Sequence, residues 1–377
     1  MSARPEIVVG WLLGADLRDP ELLAAYAAAR RRLEAYLQAA FPEFDWRFEA
    51  AERRIFVPRG ALDPVDLLEV GVSEKLHRRW DYVLVVVPNE LVARHGPSSL
   101  GVPSSALEAA VLSTSRLGSG DELVERTVAL GLHLLGHLWG LGHHPEGPMR
   151  PVGDPEDLRP EPFPAGQREQ ARRALAEVAA SRLEEQRVRW RALAFYGRTL
   201  VKDARGIGEA ILGYRPWLMP LYLGRLTAAA AVSVVYFLLT SDAWALGAHL
   251  SWRAVWTLAA LSVASAAVFI FSGQDLGRLG RESTWREQLA RTRLVLLGTL
   301  GLGMASLWLA LLVLSLAGAW ILPRALLADW MGLAPTAEHL LRYAVFTATI
   351  GVLGAALGGN LEEEREIKAE LFFDEET

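Results

Sequence analysis

Hydrophobic and polar positions follow different patterns in the two halves of the chain. Up to about residue 215, short apolar runs such as residues 6–13 alternate with stretches such as residues 20–41, where apolar positions recur every three or four residues. The short runs predict buried strands, and the three- to four-residue spacing predicts amphipathic helices. From residue 217 onward the apolar runs lengthen and lose this periodicity, so a different architecture is predicted there.

The first half is predicted to be an α/β sandwich, because strand and helix patterns alternate along it. Residues 81–88 form a β-branched run that favours a central strand, whereas residues 95–105, rich in Gly, Pro and Ser, predict a loop. A further strand is expected at residues 109–117, with the edge of the sheet as one candidate position. The other predicted elements are strands at residues 6–13 and 44–58 and helices at 20–41, 63–80 and 120–140.

The second half predicts four membrane-spanning helices. Its long apolar runs are near or above the roughly 20 residues that cross a bilayer as a helix. These runs cover residues 221–241, 254–272, 294–321 and 340–359. The core of a soluble helix bundle is the alternative, but helices of such a bundle carry a polar stripe, and residues 257–271 lack one.

Loop charges predict the orientation of these spans. Basic residues are concentrated before the first span and between the second and third, and are sparse in the other two loops. By the positive-inside rule, the N-terminal domain and the C-terminus are both expected in the cytoplasm of an inner- or plasma-membrane protein. The short apolar run at residues 6–13 predicts a strand rather than a signal peptide, in agreement with this orientation. The basic residues that carry the argument are Arg198, Lys202, Arg205 and Arg215, then Arg278, Arg281, Arg286, Arg291 and Arg293.

These patterns divide the chain into four predicted segments. A soluble domain covers residues 1–160, and a proline-rich linker with a long charged helix covers 161–216. Four transmembrane helices cover 217–360, and an acidic tail covers 361–377. The membrane segment is expected to act as an anchor or interaction bundle rather than a carrier, and the tail to be either a solvated segment or a short docking peptide.

Composition narrows the candidate chemistry. The chain has no cysteine, so any zinc site must use His, Asp or Glu. The net charge is −5, and no basic stripe interleaved with aromatic residues is present, so nucleic acid is not expected as a partner.

Residues 133–144, HLLGHLWGLGHH, contain four of the eight histidines. On a helix, His133 and His137 lie one turn apart on the same face and can direct ring nitrogens at one metal ion. Gly140 permits the helix to stop, and Gly142 permits another unusual backbone angle, so that His143 can return as a third ligand. The alternative is a pair of core histidines with surface histidines nearby. Three nitrogen ligands with an open fourth position are typical of a catalytic zinc site.

The pattern H-x-x-x-H-x-x-G-x-x-H, formed by His133, His137, Gly140 and His143, resembles that of the metzincins. The wider stretch STSRLGSGDELVERTVALGLHLLGHLWGLGHH is similar to the archaemetzincins in particular, and the resemblance covers roughly residues 5–160. It implies an α/β metzincin-like (zincin) domain that binds one zinc ion, followed here by a long helix and an all-α transmembrane bundle. It also implies that Met149 lies in a tight turn beneath the zinc.

His144 stands where archaemetzincins have the first cysteine of a second zinc site. Because the chain lacks cysteine, that site is absent in its usual form. His144 is therefore expected to lie behind the ligands or to face solvent, with replacement of His143 as third ligand the alternative.

Leu134 departs from the family pattern, in which the residue after the first histidine is a glutamate that acts as general base. Leucine can neither accept nor donate a proton, so a weak or inactive peptidase that binds or regulates a peptide or protein is expected. An active peptidase with a relocated acid is the first alternative, with Glu146 the foremost candidate and Asp154, Glu156 and Asp157 the others. A membrane sensor or transporter with a regulatory zinc domain is the second alternative.

Overall fold

The computed structural model describes most of the chain as two compact units. The described residues are 4–14, 17–53, 60–93, 99–184, 192–273, 287–358, 368 and 372–374. The first unit comprises Met1–Thr199, Leu279–Thr292 and Phe372–Thr377, and the second comprises Leu200–Arg278 and Arg293–Leu371.

The first unit contains a five-stranded mixed sheet in the order β2-β1-β3-β5-β4. The first four strands in this order, β2, β1, β3 and β5, run parallel to one another, and the edge strand β4 is antiparallel to β5. The predicted central strand is confirmed, because β3 occupies the middle of the sheet and all six of its residues are buried. The strands are β1 Glu6–Gly14, β2 Asp45–Arg53, β3 Tyr82–Val87, β4 Gly101–Ser104 and β5 Ala109–Ser113.

The prediction of a loop over residues 95–105 is wrong for its second part. Gly101–Ser104 form the edge strand β4, and the strand predicted as a candidate edge is the interior strand β5. Pro103 made this stretch resemble a loop, but proline is tolerated on an edge strand, where its missing N–H is not needed by a neighbour. Residues 94–98, and residues 54–58 of the predicted strand 44–58, lie outside the described part.

Helices cover both faces of the sheet. Helices α1, Pro20–Ala40, and α3, Gly120–Leu138, share one core with alternate residues of β1 and β3. Helix α2, Pro64–Arg78, lies on the other face, where its Gly71 approaches Val85 of β3. Asp19 and Asp63, each followed by a proline, accept from backbone N–H groups at the beginning of α1 and α2. Asp63-Pro64 is the helix start signal that the sequence offers for α2.

Helix α4, Ala165–Glu184, belongs to the first unit. Its apolar residues, including Ala171, Leu175 and Val178, are buried in the core that α1 and α3 form. The compact unit thus extends beyond the predicted boundary at residue 160. The long charged helix predicted within residues 161–216 is described as α4 and as α5, Ala192–Lys202, and residues 185–191 between them lie outside the described part.

The described part of the second unit is helical. Three helices are long and apolar enough to span a membrane: Trp252–Gly273, Ala290–Ile321 and Ala337–Leu357. The first predicted span, 221–241, contains a shorter helix, Gly224–Leu238. Ala204–Tyr222 precedes this helix and is bent by 60° relative to it, and the two together are long and apolar enough to form one span. The helices are α6 Ala204–Gly213, α7 Met219–Tyr222, α8 Gly224–Leu238, α9 Ser241–His249, α10 Trp252–Gly273, α11 Glu287–Ile321, α12 Arg324–Met331 and α13 Ala337–Gly358.

Candidate metal centre

Helix α3 presents the first two candidate ligands from its last two turns. The side chains of His133 and His137 are buried, and their Nε2 atoms lie 3.1 Å apart. Two nitrogens bound to one tetrahedral zinc at the usual 2.0–2.1 Å would be separated by roughly 3.3 Å. The two rings therefore already lie at a spacing that suits a single ion.

The chain turns back at the end of α3 and brings in a third histidine. Gly140, at a φ of +74°, donates to the carbonyl of His137, and the N–H of Leu141 donates to that of Gly136. Gly140 thus stops the helix as predicted. Gly142 does not have a positive φ, so that prediction is wrong; the next glycine with one is Gly147.

His143 completes a cluster with the two helical histidines. One ring nitrogen from each of His133, His137 and His143 lies within 4.8 Å of the others. Within the described ranges this set contains no carboxylate, so the protein offers three nitrogen ligands and leaves a fourth position for a water or another ligand. Such a donor set fits zinc, which binds imidazole well and takes three protein ligands in its catalytic sites.

Backbone carbonyls fix the orientation of the two buried rings. Nδ1 of His133 lies 2.7 Å from the carbonyl oxygen of Pro148. Since that oxygen can only accept, Nδ1 must carry the proton, which leaves Nε2 with a lone pair for a metal. The ring of His137 makes a similar hydrogen bond to the backbone of Leu141.

Burial also keeps both rings neutral. It lowers the pKa of His133 to about 4, and the hydrogen bond to Pro148 offsets only part of this. Burial, together with repulsion from His133 and His143, lowers the pKa of His137 to about 3. At neutral pH neither ring needs to lose a proton before it binds a cation.

Met149 lies in a tight turn directly behind the two helical histidines. The turn is closed by a hydrogen bond from the N–H of Arg150 to the carbonyl of Gly147, and Met149 is fully buried. A Cβ added to Gly136, which lies between His133 and His137, would be 2.1 Å from the Met149 sulfur. The side chain of Met149 therefore packs on the helix backbone at the ligand turn, as the family resemblance implies.

His144 lies outside the cluster. Its Nδ1 lies 3.1 Å from the backbone nitrogen and 3.0 Å from the carbonyl oxygen of Glu146. Its backbone N–H donates to the carbonyl of Met149 at 2.8 Å. Between the two candidates for third ligand, the geometry brings together His143 and not His144.

Leu134 is fully buried in the core between α3 and the sheet. Both of its methyl carbons would lie 3.0 Å from a Cβ added to Gly101 of the edge strand β4. The position of the family's general base is thus filled by an apolar side chain that packs against the sheet.

The candidate substitute acids are not part of the histidine cluster. Glu146 is exposed in the turn after the ligands. Asp157 caps the short 3-10 helix Pro155–Asp157 and accepts from the N–H groups of Gly153 and Asp154. Glu156 lines a cleft with acidic residues of the first turns of α3, about 12 Å or more along the helix from His133.

Helix α4 holds the loop that carries the third ligand, a role that sequence reasoning missed. Gln167 Nε2 donates to the carbonyl of Gly142, and Gln170 Nε2 donates to that of Gly140, each at 2.9 Å. The two glutamines are three residues apart and so share one face of the helix. That spacing was the available signal, but a glutamine pair on a charged helix is equally typical of a solvated face.

No family model matches the chain, and neither does any curated protein. Among solved structures it is similar to an archaemetzincin from Methanopyrus kandleri, with 24% identity and a TM-score of 0.36, over 47% of this chain and 99% of that one. A zinc-dependent peptidase from Methanocorpusculum labreanum matches with 18% identity and a TM-score of 0.35, over 43% and 99%. An archaemetzincin from Archaeoglobus fulgidus, complexed with malonate, matches with 17% identity and a TM-score of 0.31, over 43% and 99%. At this level of similarity no activity or ligand is transferred to this chain.

Proposed function

We propose that this chain is a membrane-anchored, archaemetzincin-like protein that binds one zinc ion through His133, His137 and His143 and is a weak or inactive peptidase. The convergence of three histidine nitrogens within 4.8 Å carries the proposal. The oriented, neutral rings of His133 and His137 support it, because a metal site needs ligands that are deprotonated and fixed in direction.

Leu134 supports the inactive state. A bound zinc supplies Lewis acidity and lowers the pKa of its water to about 7. Leu134 can take no proton from that water, and a positioned base contributes about 10² to 10⁴ in rate. The domain is accordingly proposed to bind or regulate a peptide or protein rather than to hydrolyse it rapidly.

Metal analysis of the full-length protein tests the proposal. The wild-type chain should contain about one zinc per chain, as a single three-ligand site requires. His137→Ala should lose it, whereas His144→Ala, the matched control outside the cluster, should keep it. Equal zinc content in the wild type and His137→Ala would overturn the assigned site.

We further propose that the second unit crosses the membrane four times, with the N-terminal domain and the C-terminus in the cytoplasm. Two hydrogen bonds inside the first unit support an even number of crossings. Thr292 Oγ1 donates to the carbonyl of Ala106 at 2.7 Å, and the N–H of Asp374 donates to that of Pro103 at 3.1 Å. These contacts support the proposal that residues 200–278 and 293–371 each begin and end on the same side of the bilayer.

That condition favours four spans over three. Residues 200–278 include the candidate span Trp252–Gly273, and we propose the bent pair Ala204–Tyr222 and Gly224–Leu238 as the second crossing of this segment. Helix α8 alone, with 15 residues, is about 22 Å long, shorter than the hydrocarbon core of about 30 Å, so the preceding helices are needed to complete the crossing.

Reporter fusions test this topology. A reporter placed after residue 242 should lie outside the cytoplasm, and one placed after residue 282 should lie inside it. Two reporters on the same side would contradict four crossings.

A further inference from the structure

The C-terminal segment, residues 372–374, is bound to the hairpin that joins β4 and β5 in the first unit. The N–H of Asp374 donates to the carbonyl of Pro103, and the Asp374 carboxylate accepts from Ser105. Phe372 is fully buried. Of the two sequence-based alternatives for the tail, a solvated segment and a docking peptide, these contacts favour the second.

The edge of β4 offers a specific acceptor at Pro103. Leu100 accepts from the N–H of Ser113 on β5, so Leu100 and Ser113 form a hydrogen-bonded pair of this antiparallel ladder. Such pairs alternate, which leaves Pro103, opposite Ala110, with its carbonyl directed away from β5. Because proline has no N–H, this position can accept from an added peptide but cannot donate to it.

The hairpin turn supplies the donors. The backbone N–H of Ser105 lies 2.5 Å from Asp374 Oδ2, and the Ser105 hydroxyl donates to Asp374 Oδ1 at 2.9 Å. Both carboxylate oxygens are thus bound by one residue. Hydrogen bonds to an ionised acceptor are about twice as strong as those between neutral groups, so an aspartate is preferred here over a neutral residue.

Phe372 is the buried apolar residue of the segment. It is one of the largest side chains in the described part of the chain with less than 2% exposure, while the adjacent Phe373 is only half-buried. Removal of this aromatic side chain from water and the charge-assisted hydrogen bonds of Asp374 both favour an ordered segment over a solvated one.

We propose that the edge of β4 and its hairpin turn form a docking site for a short peptide with an aromatic residue two positions before an aspartate. The chain's own C-terminal segment is the resident ligand, kept at high local concentration by its covalent attachment. This site uses none of the candidate metal ligands, so it stands independently of the proposed zinc function.

Hydrogen exchange of the full-length protein in lipid nanodiscs tests the contact. The Ser105 amide should be protected in the wild type, and Phe372→Ala should raise its exchange rate by about tenfold or more, because the segment is released. Phe373→Ala, which removes the half-buried neighbour, should leave the protection nearly unchanged. A Ser105 amide that exchanges as a free amide in the wild type would overturn the proposal.

A binding experiment tests the peptide specificity. A fluorescent peptide of residues 368–377, KAELFFDEET, should bind a chain terminated after residue 371 at least about tenfold more tightly than the intact chain, whose tail competes with it. The same peptide with Phe372→Ala should not bind. Equal binding to both chains, or none to a truncated chain that retains the wild-type melting temperature, would contradict a docking site.

Discussion

The two units remove apolar side chains from water in opposite ways. In the first unit, the six residues of β3 are all buried between two layers of helices. In α10 of the second unit, only a third of the apolar window is buried, and residues such as Leu261 face outward. The first unit therefore makes its own apolar interior, whereas the second leaves apolar side chains on its surface, which is consistent with the proposed membrane location.

The buried residues of α10 are mostly small. Residues that pack inward include Ala259, Ser262 and Ala266, which recur every three or four positions and are small. Small residues let helix backbones approach closely, which is how helices associate when the hydrophobic effect between them is absent. This face and the outward apolar one together match a helix of a membrane bundle.

The largest expected effect comes from placing an arginine at one exposed apolar position in each unit and comparing the two variants. Leu261 is 61% exposed and Val92, in the first unit, is 49% exposed. Leu261→Arg should lower the membrane-inserted fraction strongly, because arginine near the centre of a span costs about 2.5–3.5 kcal/mol. Val92→Arg should change stability by no more than about 0.5 kcal/mol, since it replaces one solvent-facing side chain by another.

Membrane fractionation with alkaline extraction measures the first effect, and thermal unfolding measures the second. If Leu261→Arg were as harmless as Val92→Arg, the outward face of α10 would be in contact with water, and the proposed membrane unit would be wrong.

The second prediction concerns Leu134, the apolar residue next to the histidine cluster of the first unit. Leu134→Glu should raise peptide hydrolysis by roughly 10² or more, because it supplies the base that the three histidines lack. The gain should disappear in the double variant with His137→Ala. Hydrolysis by purified protein, with the melting temperature followed in parallel, is the measurement.

Burial opposes this gain. Leu134 packs against Gly101, and a carboxylate there loses hydration, which destabilises its charged form. A drop in melting temperature without a gain in activity would show that the Leu134→Glu carboxylate destabilises the core and does not act as a base. If wild-type protein already cleaves peptides efficiently and loses this on Glu146→Gln, the inactive state would be refuted and Glu146 would be the relocated acid.

The sequence predicts most of the first unit because its signals are local. Three such signals are the β-branched run that becomes β3, the Asp-Pro start of α2, and the four-residue spacing of His133 and His137; each acts within one element. Edge strand β4 could not be predicted because proline is common both in loops and on edge strands. Only the order of the strands in the sheet shows that Pro103 lies on an edge strand.

Contacts between distant segments could not be predicted from local patterns. Asp374 and Ser105, which bind each other, are 269 residues apart in the sequence. Helix α4 contacts the loop that carries His143, although α4 lies outside the residues that resemble archaemetzincins. In both cases a polar side chain binds a backbone group, the N–H of Ser105 or the carbonyls of Gly140 and Gly142, and every residue type offers such groups.

The last prediction tests whether α4 belongs to the site or only to the core. The double variant Gln167→Ala, Gln170→Ala removes the two hydrogen bonds that hold Gly140 and Gly142 and leaves the buried residues of α4 in place. The loop would then lose part of what positions His143. Groups that orient a metal ligand without touching the metal typically contribute 10- to 100-fold in affinity, so we expect zinc affinity to fall by about tenfold.

Glu169→Ala is the matched control on the same helix. Glu169 is exposed and accepts hydrogen bonds from Arg172 and Arg173, on α4 itself. Its loss should leave zinc affinity unchanged, as expected for a surface ion pair. Competition titration against a chromophoric chelator gives the affinities, and unchanged melting temperatures of the metal-free proteins would show that the fold is intact. If the double variant binds zinc as tightly as Glu169→Ala, then α4 supports only the core, and the position of His143 is set by its own loop.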